Sequence, residues 1–256
     1  MIALLSPAKS LDYARPLAHE EATRPRFIDD AQRLASAAAK LGPKKLSKLM
    51  GISDKLAKLN ADRYAGFAEA PERPALFAFN GDVYLGLEAH SLDEPAIAFA
   101  QDHVRILSGL YGLLRPLDAI RPYRLEMGTK WAPGRPADLY HYWGKRISDA
   151  LAADLDAEGS ATIINLASKE YWHAVETAPP KGARIITVDF REDGPNGLRF
   201  NSFAAKRARG MMARYLCEHR IDRPDGLKGF DSDGYRFSAE GSDEAVWRFV
   251  RGAGGP

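Results

Sequence analysis

Leu107-Ser-Gly-Leu-Tyr-Gly-Leu-Leu-Arg-Pro-Leu-Asp-Ala-Ile-Arg-Pro-Tyr-Arg-Leu-Glu-Met-Gly128 is the stretch around which the rest of the chain is arranged. Its first half is apolar and spaced by Gly109 and Gly112, a composition suited to a tightly packed turn. Its second half sets Arg115, Asp118, Arg121, Tyr123, Arg124 and Glu126 around Pro116 and Pro122. Proline fixes its own φ and biases the preceding residue away from helix, so the spacing predicts ordered but irregular backbone. Loops of this kind, held between packed elements, are where working side chains gather. Three arginines, two carboxylates and a tyrosine suit a polar cleft that binds an anion. A salt-bridged loop that only stabilises the fold would use the same residue types.

Upstream, Ile2 to Leu5 reads as a short buried strand ended by Ser6-Pro7, with Lys9, Ser10, Asp12 and Tyr13 in the loop beyond. A lysine there could face a cleft, although a solvated surface lysine is the commoner case. Ala75 to Phe79 reads as a second apolar strand. Asn80-Gly-Asp-Val-Tyr84 follows it and would project Asp82 into a crevice, or use it for local turn hydrogen bonds. Pro95 to Leu107 reads as a helix leading into the central stretch.

Downstream, Leu139 to Leu155 is amphipathic at helical spacing, and Thr162 to Leu166 is another short buried strand. Ser168 is a candidate cap for a helix beginning at Glu170 and Tyr171. Ala183 to Phe190 and Leu198 to Ser202, on either side of a Gly/Pro/Asn loop, predict a β-hairpin. The helix expected from Phe203 to His219 has an apolar stripe, with Lys206, Arg207 and Arg214 opposite. From Arg199 to Arg220 there are six basic residues and one acid, Glu218. Phe230 to Phe237 and Ala245 to Arg251 predict two short strands. Asp231-x-Asp233-Gly lacks the later ligands of a calcium loop and reads as a turn. Gly252 to Pro256 is expected to be frayed. Strands and helices without strict alternation predict a single α+β domain over 1–256, built on a mixed sheet.

One segment carries its own signature. Phe27 to Leu41 has apolar residues at three- and four-residue spacing and is stopped by Gly42-Pro43. Lys44 to Asn60 then reads as a short helix, a turn at Met50-Gly51-Ile52, and a second helix capped by Ser53 with Asp54 in its first turn. Leu46, Leu49, Ile52, Leu56 and Leu59 are expected to face inward. The pattern resembles a helix-hairpin-helix, whose turn amides grip a phosphate, although Ser53 stands where such units usually carry a second glycine. A Gly turn feeding a helix N-terminus presents free N–H groups and a positive dipole end to an anion. Gly51, Ile52 and Ser53 would supply those amides. Lys44, Lys45, Lys48, Lys55 and Lys58 surround them, with Asp54 the only acid from 44 to 58. A plain αα-corner with a solvated lysine face fits the same pattern.

Bulk properties exclude several classes. The 256 residues carry 45% hydrophobic and 27% charged side chains, ordinary for a globular protein with a substantial core. A formal net charge of +2 means that any nucleic-acid site must come from local clustering. The single cysteine, Cys217, allows no intramolecular disulfide. The N-terminal run lacks the basic and apolar regions of a signal peptide, and no apolar stretch approaches bilayer length. The expected location is the cytoplasm, with no membrane association. The six histidines show no helical ligand spacing, so no metal site is expected. Walker A, G-x-G-x-x-G and G-x-S-x-G patterns are missing, so no cofactor is expected. Lys, Arg, Asp, Glu and Tyr at loop positions remain. They suit acid–base or Schiff-base chemistry, or phosphate holding alone.

Taken in order, these motifs resemble the YaaA family. Those that carry the resemblance are Ser6-Pro-Ala-Lys-Ser-Leu-Asp12, Ile52-Ser-Asp-Lys-Leu-Ala57, Gly81-Asp-Val-Tyr84 and the stretch Leu107 to Asp118. Pro122-Tyr-Arg-Leu-Glu-Met127, Asn165-Leu-Ala-Ser168, Ala205-Lys-Arg-Ala-Arg-Gly210 and Gly229-Phe-x-x-x-Gly-Tyr235 extend it. The resemblance runs from Met1 to about Phe237. It implies a bacterial peroxide-stress protein that helps limit intracellular free iron and is associated with DNA binding. The implied fold is an α+β globule with a helix-hairpin-helix and a positively charged cleft. By position, the hairpin is Leu46 to Leu59. The cleft candidates are Lys9, Asp82, Arg115, Asp118, Tyr123, Arg124, Glu126, Lys206 and Arg209. The resemblance leaves catalysis open.

Three functional expectations follow. The first is a DNA-binding protein of the oxidative-stress response, with double-stranded or distorted DNA as partner and phosphates held without sequence reading. The second is a repair-type enzyme, a nucleobase glycosylase or lyase, using Lys9 with Asp82, Asp118 and Glu126. The third is a small-molecule or iron-handling protein, against which the scarcity of His and Cys argues. No protein partner is inferable.

Overall fold

The computed structural model describes residues 1–17, 19, 21–195 and 197–252. Residues 253–256 of the expected frayed end, and one residue of the expected hairpin loop, lie outside that set.

In chain order the elements begin with β1 (Ile2–Leu5), α1 (Ile28–Ala39), α2 (Gly42–Met50), α3 (Asp54–Ala65) and β2 (Arg73–Pro74). Then come α4 (Ala75–Ala78), α5 (Asp82–Leu87), α6 (Glu94–His103), β3 (Val104–Ser108), β4 (Gly112–Leu114) and β5 (Ala119–Ile120). The second half runs α7 (Leu139–Trp143), α8 (Arg146–Glu158), β6 (Thr162–Asn165), α9 (Lys169–Glu176), β7 (Arg184–Glu192), α10 (Ser202–Glu218), β8 (Tyr235–Ser238) and β9 (Val246–Arg251).

Seven strands form one mixed sheet in the order β4-β3-β1-β6-β7-β9-β8. The inner five, β3-β1-β6-β7-β9, are parallel, and β4 and β8 close the edges antiparallel. Every residue of β1 and β3 is buried, so helices cover both faces, the usual condition for a parallel sheet. The expected mixed sheet is present, but its parallel centre with helical crossovers makes the fold α/β rather than α+β. Six helices between β1 and β3 conceal the alternation in the sequence.

Numbered along the chain, the parallel strands run 2-1-3-4-5, the order of flavodoxin-like doubly wound sheets. The chain leaves β1 to one side for β3 and later returns to the other side for β6. A crevice therefore opens beyond the carboxyl ends of β1 and β6, where open α/β sheets place their ligands.

Several local expectations change. Ala75 to Phe79 is mostly a buried helical turn, α4, not a strand; an apolar run this short fits either state. The helix expected to reach Leu107 ends at His103 and passes directly into β3. The segment from Leu139 breaks into two helices at Gly144, whose φ is 51°. Among the described residues no second hairpin strand follows β7. Leu198 to Ser202 makes one bridge, Glu192 to Arg199, and β7 instead pairs in parallel with β6 and β9.

The central stretch packs as its glycines suggest. A Cβ on Gly109 would lie 2.3 Å from the Leu125 carbonyl, and one on Gly112 would lie 2.8 Å from the Trp143 ring. Trp143 Nε1 donates to the Gly109 carbonyl at 3.0 Å. Ser108 Oγ accepts from the Tyr111 amide at 2.9 Å and is 2.7 Å from the Tyr123 hydroxyl. Among the described residues no helix is long and apolar enough to cross a membrane.

Candidate functional site at the switch point

A cleft of about 580 Å³ lies at the switch point. Its floor is the loop after β1, Ser6 to Ser10; its walls are Asn80 to Val83, Leu166 to Tyr171, and Lys206 and Arg209 of α10. Ser6 and Ser168 tie the two strand ends together. The Ser168 amide donates to Ser6 Oγ at 2.9 Å, and the two hydroxyls are 3.3 Å apart. Ser168 does occupy the N-cap position of α9, but its hydroxyl serves this tie rather than capping the helix. Tyr84 donates to the Ser6 carbonyl at 3.1 Å and fixes the loop from below.

The α5 and α10 walls meet at a glycine crossing. A Cβ on Gly210 would lie 1.7 Å from the Val83 carbonyl oxygen, and one on Gly86 would lie 2.1 Å from that of Arg207. This approach is open only to glycine. It brings Lys206 Nζ to 3.9 Å from Asp82. An adjoining recess is lined by Pro7, Lys9, Tyr123, Arg124, Glu126 and Tyr171. There Glu126 Oε1 receives Arg124 at 2.9 Å and faces Lys9 at 3.6 Å.

Two buried polar atoms at this site have no hydrogen-bond partner among the described residues. Glu126 Oε2 is buried and unbonded, and so is Arg209 Nε. Desolvation lowers the pKa of the Arg209 guanidinium, the Asp189 carboxylate opposing that shift. Burial also pushes the Tyr123 and Tyr171 hydroxyls well above the usual phenol range, so both are neutral hydrogen-bonding groups here.

Seven of the nine expected cleft residues thus converge: Lys9, Asp82, Tyr123, Arg124, Glu126, Lys206 and Arg209. Arg115 and Asp118 do not. Asp118 is 1% exposed and accepts from Thr23 Oγ1 at 2.7 Å and the Arg115 amide at 2.8 Å. Arg115 reaches the same carboxylate at 3.4 Å. Their role is to brace the turn after β4. Sequence reasoning missed Lys169 and Glu170 in the lining, and Phe203 outside it, one turn before Lys206 on α10. Phe203 is 70% exposed, with its ring 5.5 Å from the Lys206 ammonium. An exposed aromatic one turn from a basic pair was its available signal.

The helical hairpin stands apart. Gly51 takes the left-handed conformation at φ 61°, and Ser53 caps α3 through the Leu56 amide. The Gly51 and Ile52 amides both turn back to the Ser47 carbonyl, so they are not the free donors expected there. The amides of Ser53, Asp54 and Lys55 have no acceptor among the described residues. Lys58 pairs with Asp62 at 3.2 Å. Lys44, Lys45, Lys48 and Lys55 make no ion pair to a described carboxylate, and they lie on the solvent side of the hairpin. Leu56 and Leu59, expected inside, are exposed, while Ala57, Asn60 and Tyr64 are buried. Tyr64 sets that rotation by donating to the Arg124 carbonyl at 2.6 Å, which anchors the hairpin to the cleft wall.

Among the described residues no group of three His, Cys, Asp or Glu side chains is placed to hold a metal. The fold and site define a doubly wound α/β protein with a cleft at its switch point and an α2–α3 helix pair that carries exposed lysines. The family described as "Peroxide stress protein YaaA" matches residues 1–241, and the chain belongs to that family. It is 73% identical over 251 residues to a "UPF0246 protein" of Rhizorhabdus wittichii, covering 98% of this chain and 99% of that one. It is 52% identical over 258 residues to a "UPF0246 protein" of Paracidovorax citrulli, covering 97% and 98%. A Burkholderia mallei "UPF0246 protein" is 49% identical over 262 residues, covering 99% and 100%.

Proposed function

We propose that this member of the peroxide-stress family binds DNA through its phosphate backbone, without reading sequence, and thereby protects it under oxidative stress. The observation that carries the reading is the α2–α3 helix pair, with four solvent-facing lysines around the start of a twelve-residue helix. Lysines so placed neutralise phosphates and release counterions, while the amides of Ser53, Asp54 and Lys55 offer directed donors. Asp54 at the first turn opposes an anion, so the lysines supply most of the attraction. The basic cleft is the second binding surface, for a displaced or distorted strand. Helping to limit free iron belongs to the same proposal, acting through DNA rather than through a resident iron site.

The test is duplex affinity against salt for wild type and a Lys44/Lys45/Lys48/Lys55→Ala variant. The log–log slope should fall by about 0.9 for each phosphate that the variant no longer neutralises. Equal slopes and equal affinities in the two proteins would refute the reading.

A repair-type enzyme is the second reading, and the buried, unpartnered Glu126 Oε2 favours it as a carboxylate poised for a cationic centre. Its lyase form has less support. Lys9 is 67% exposed, with its ammonium 3.6 Å from the Glu126 carboxylate, not enclosed in an apolar pocket of the kind that activates a lysine nucleophile. Borohydride trapping on abasic DNA tests it: a Lys9-dependent adduct supports the lyase, and no adduct removes it.

A further inference from the structure

We infer that the switch-point cleft binds a nucleoside monophosphate unit, either as the free nucleotide or as the 5′-phosphorylated end of a DNA strand. Three observations point to an anion. The cleft lies beyond the carboxyl ends of β1 and β6, where the strand order reverses. Lys9, Lys169, Lys206 and Arg209 line it against two carboxylates, Asp82 and Glu170, so the lining attracts an anion. Arg209 has a buried Nε–H without an acceptor, and it makes no ion pair to a described carboxylate. A buried guanidinium N–H left without an acceptor is costly, and a phosphate oxygen suits it as acceptor.

The anion must also carry donors and a flat apolar part. Glu126 Oε2 in the adjoining recess is a buried acceptor without a donor, which a sugar hydroxyl or an exocyclic amine would satisfy. Phe203 exposes its ring beside Lys206, giving a base a face to stack on next to a cation. The amides of Lys169, Glu170 and Tyr171, in the first turn of α9, have no acceptor among the described residues and border the same space. About 580 Å³ is within the range of small-ligand sites and holds one nucleotide, not a duplex. A second cavity, about 390 Å³ near Asp12, Arg15 and His90, lacks both the switch-point position and the unpartnered atoms.

The site is independent of the hairpin, so the four-lysine variant should keep it. Calorimetric titration of the whole protein with AMP, UMP, ribose 5-phosphate and inorganic phosphate tests it. Oligothymidylate with a 5′-phosphate or a 5′-hydroxyl completes the set. Wild type should bind the mononucleotides at least tenfold more tightly than ribose 5-phosphate or phosphate. Arg209→Met should weaken AMP at least tenfold. Lys206→Met, at a half-exposed position that leaves packing intact, should weaken it severalfold. Phe203→Ala should bring AMP down to the level of ribose 5-phosphate. Preference for AMP over the 5′-phosphorylated strand identifies a soluble ligand, and the reverse order identifies a strand end; either supports the site. Failure of both to bind would overturn it. So would binding that Arg209→Met, Lys206→Met and Phe203→Ala all leave unchanged.

Discussion

Alanine at position 210 would place a methyl group 1.7 Å from the Val83 carbonyl oxygen, 2.7 Å from the Val83 carbonyl carbon and 2.8 Å from the Leu87 amide nitrogen. All three atoms are backbone, so no side chain can swing away. Ordinary van der Waals approach begins at 3.4 Å, which requires α5 and α10 to part by more than an ångström. Overpacking of that kind costs about 3 kcal/mol or more. The better helix propensity of alanine returns about 1 kcal/mol, leaving a net loss of about 2 kcal/mol or more. For a domain of this size the loss lowers the melting temperature by about 4–8 °C. Denaturant titration with thermal unfolding by circular dichroism measures both. Gly66→Ala is the internal control, because its Cβ would meet only the Asp62 carbonyl at 3.6 Å, an ordinary separation. A Gly210→Ala protein as stable as the control would refute the reasoning about this crossing. A destabilised but folded variant should also lose affinity in the cleft, because the separation pulls Lys206 and Arg209 away from Asp82.

Other expectations rest on other parts of the molecule. Glu192 lies beneath Arg251 and Arg199; burial alone would raise its carboxyl, but hydrogen bonds from Arg251 and Asn201 outweigh that and hold it below the usual range. A depressed carboxylate stabilises the fold above its unfolded pKa and loses that contribution as pH falls through the folded value. Glu192→Gln should therefore cost about 2 kcal/mol at pH 7, with the gap to wild type closing once acid has protonated the native carboxyl. A gap unchanged at acid pH would contradict this. Asp118→Asn should lower stability by about 1–3 kcal/mol through Thr23 and the Arg115 amide, while DNA and nucleotide affinities stay at wild-type values. A selective loss of binding in a stable protein would return Asp118 to the cleft. Burial pushes the Cys217 thiol up to about 12, so at pH 8 it is protonated. It should resist thiol reagents until the protein is unfolded, and rapid native-state labelling would count against its packing.

What the sequence revealed depended on how local the signal was. The hairpin was legible because its determinants lie within a dozen residues: Gly51 in a left-handed turn, the Ser53 cap and the leucine spacing. Its buried face was not. Tyr64 reaches across the fold to the Arg124 carbonyl and rotates α3, burying Ala57 and Asn60 and exposing Leu56 and Leu59. β1 and β6 were recognisable as short apolar runs, but the switch point between them is a property of strand order, which no local pattern encodes. Arg115 and Asp118 looked like cleft residues because they neighbour Tyr123 and Arg124 in sequence, yet the turn between β4 and β5 directs Asp118 to Thr23 and folds Arg115 back onto Asp118. Lys206 and Arg209 belonged to a basic run legible in the sequence, and came forward as cleft residues only through the family resemblance. On a basic helix the residues that face a cleft look the same as those that face solvent, and the glycine crossing that selects between them is a three-dimensional fact.

Whether DNA seats on the α2–α3 turn is tested most directly by amide chemical-shift mapping of the labelled protein titrated with duplex DNA at low salt. The largest shifts are expected at Ser53, Asp54 and Lys55, whose amides have no acceptor among the described residues in the free protein, with smaller ones along Lys44 to Lys48. Shifts confined to other surfaces, with Ser53 to Lys55 unmoved at saturation, would contradict that seating.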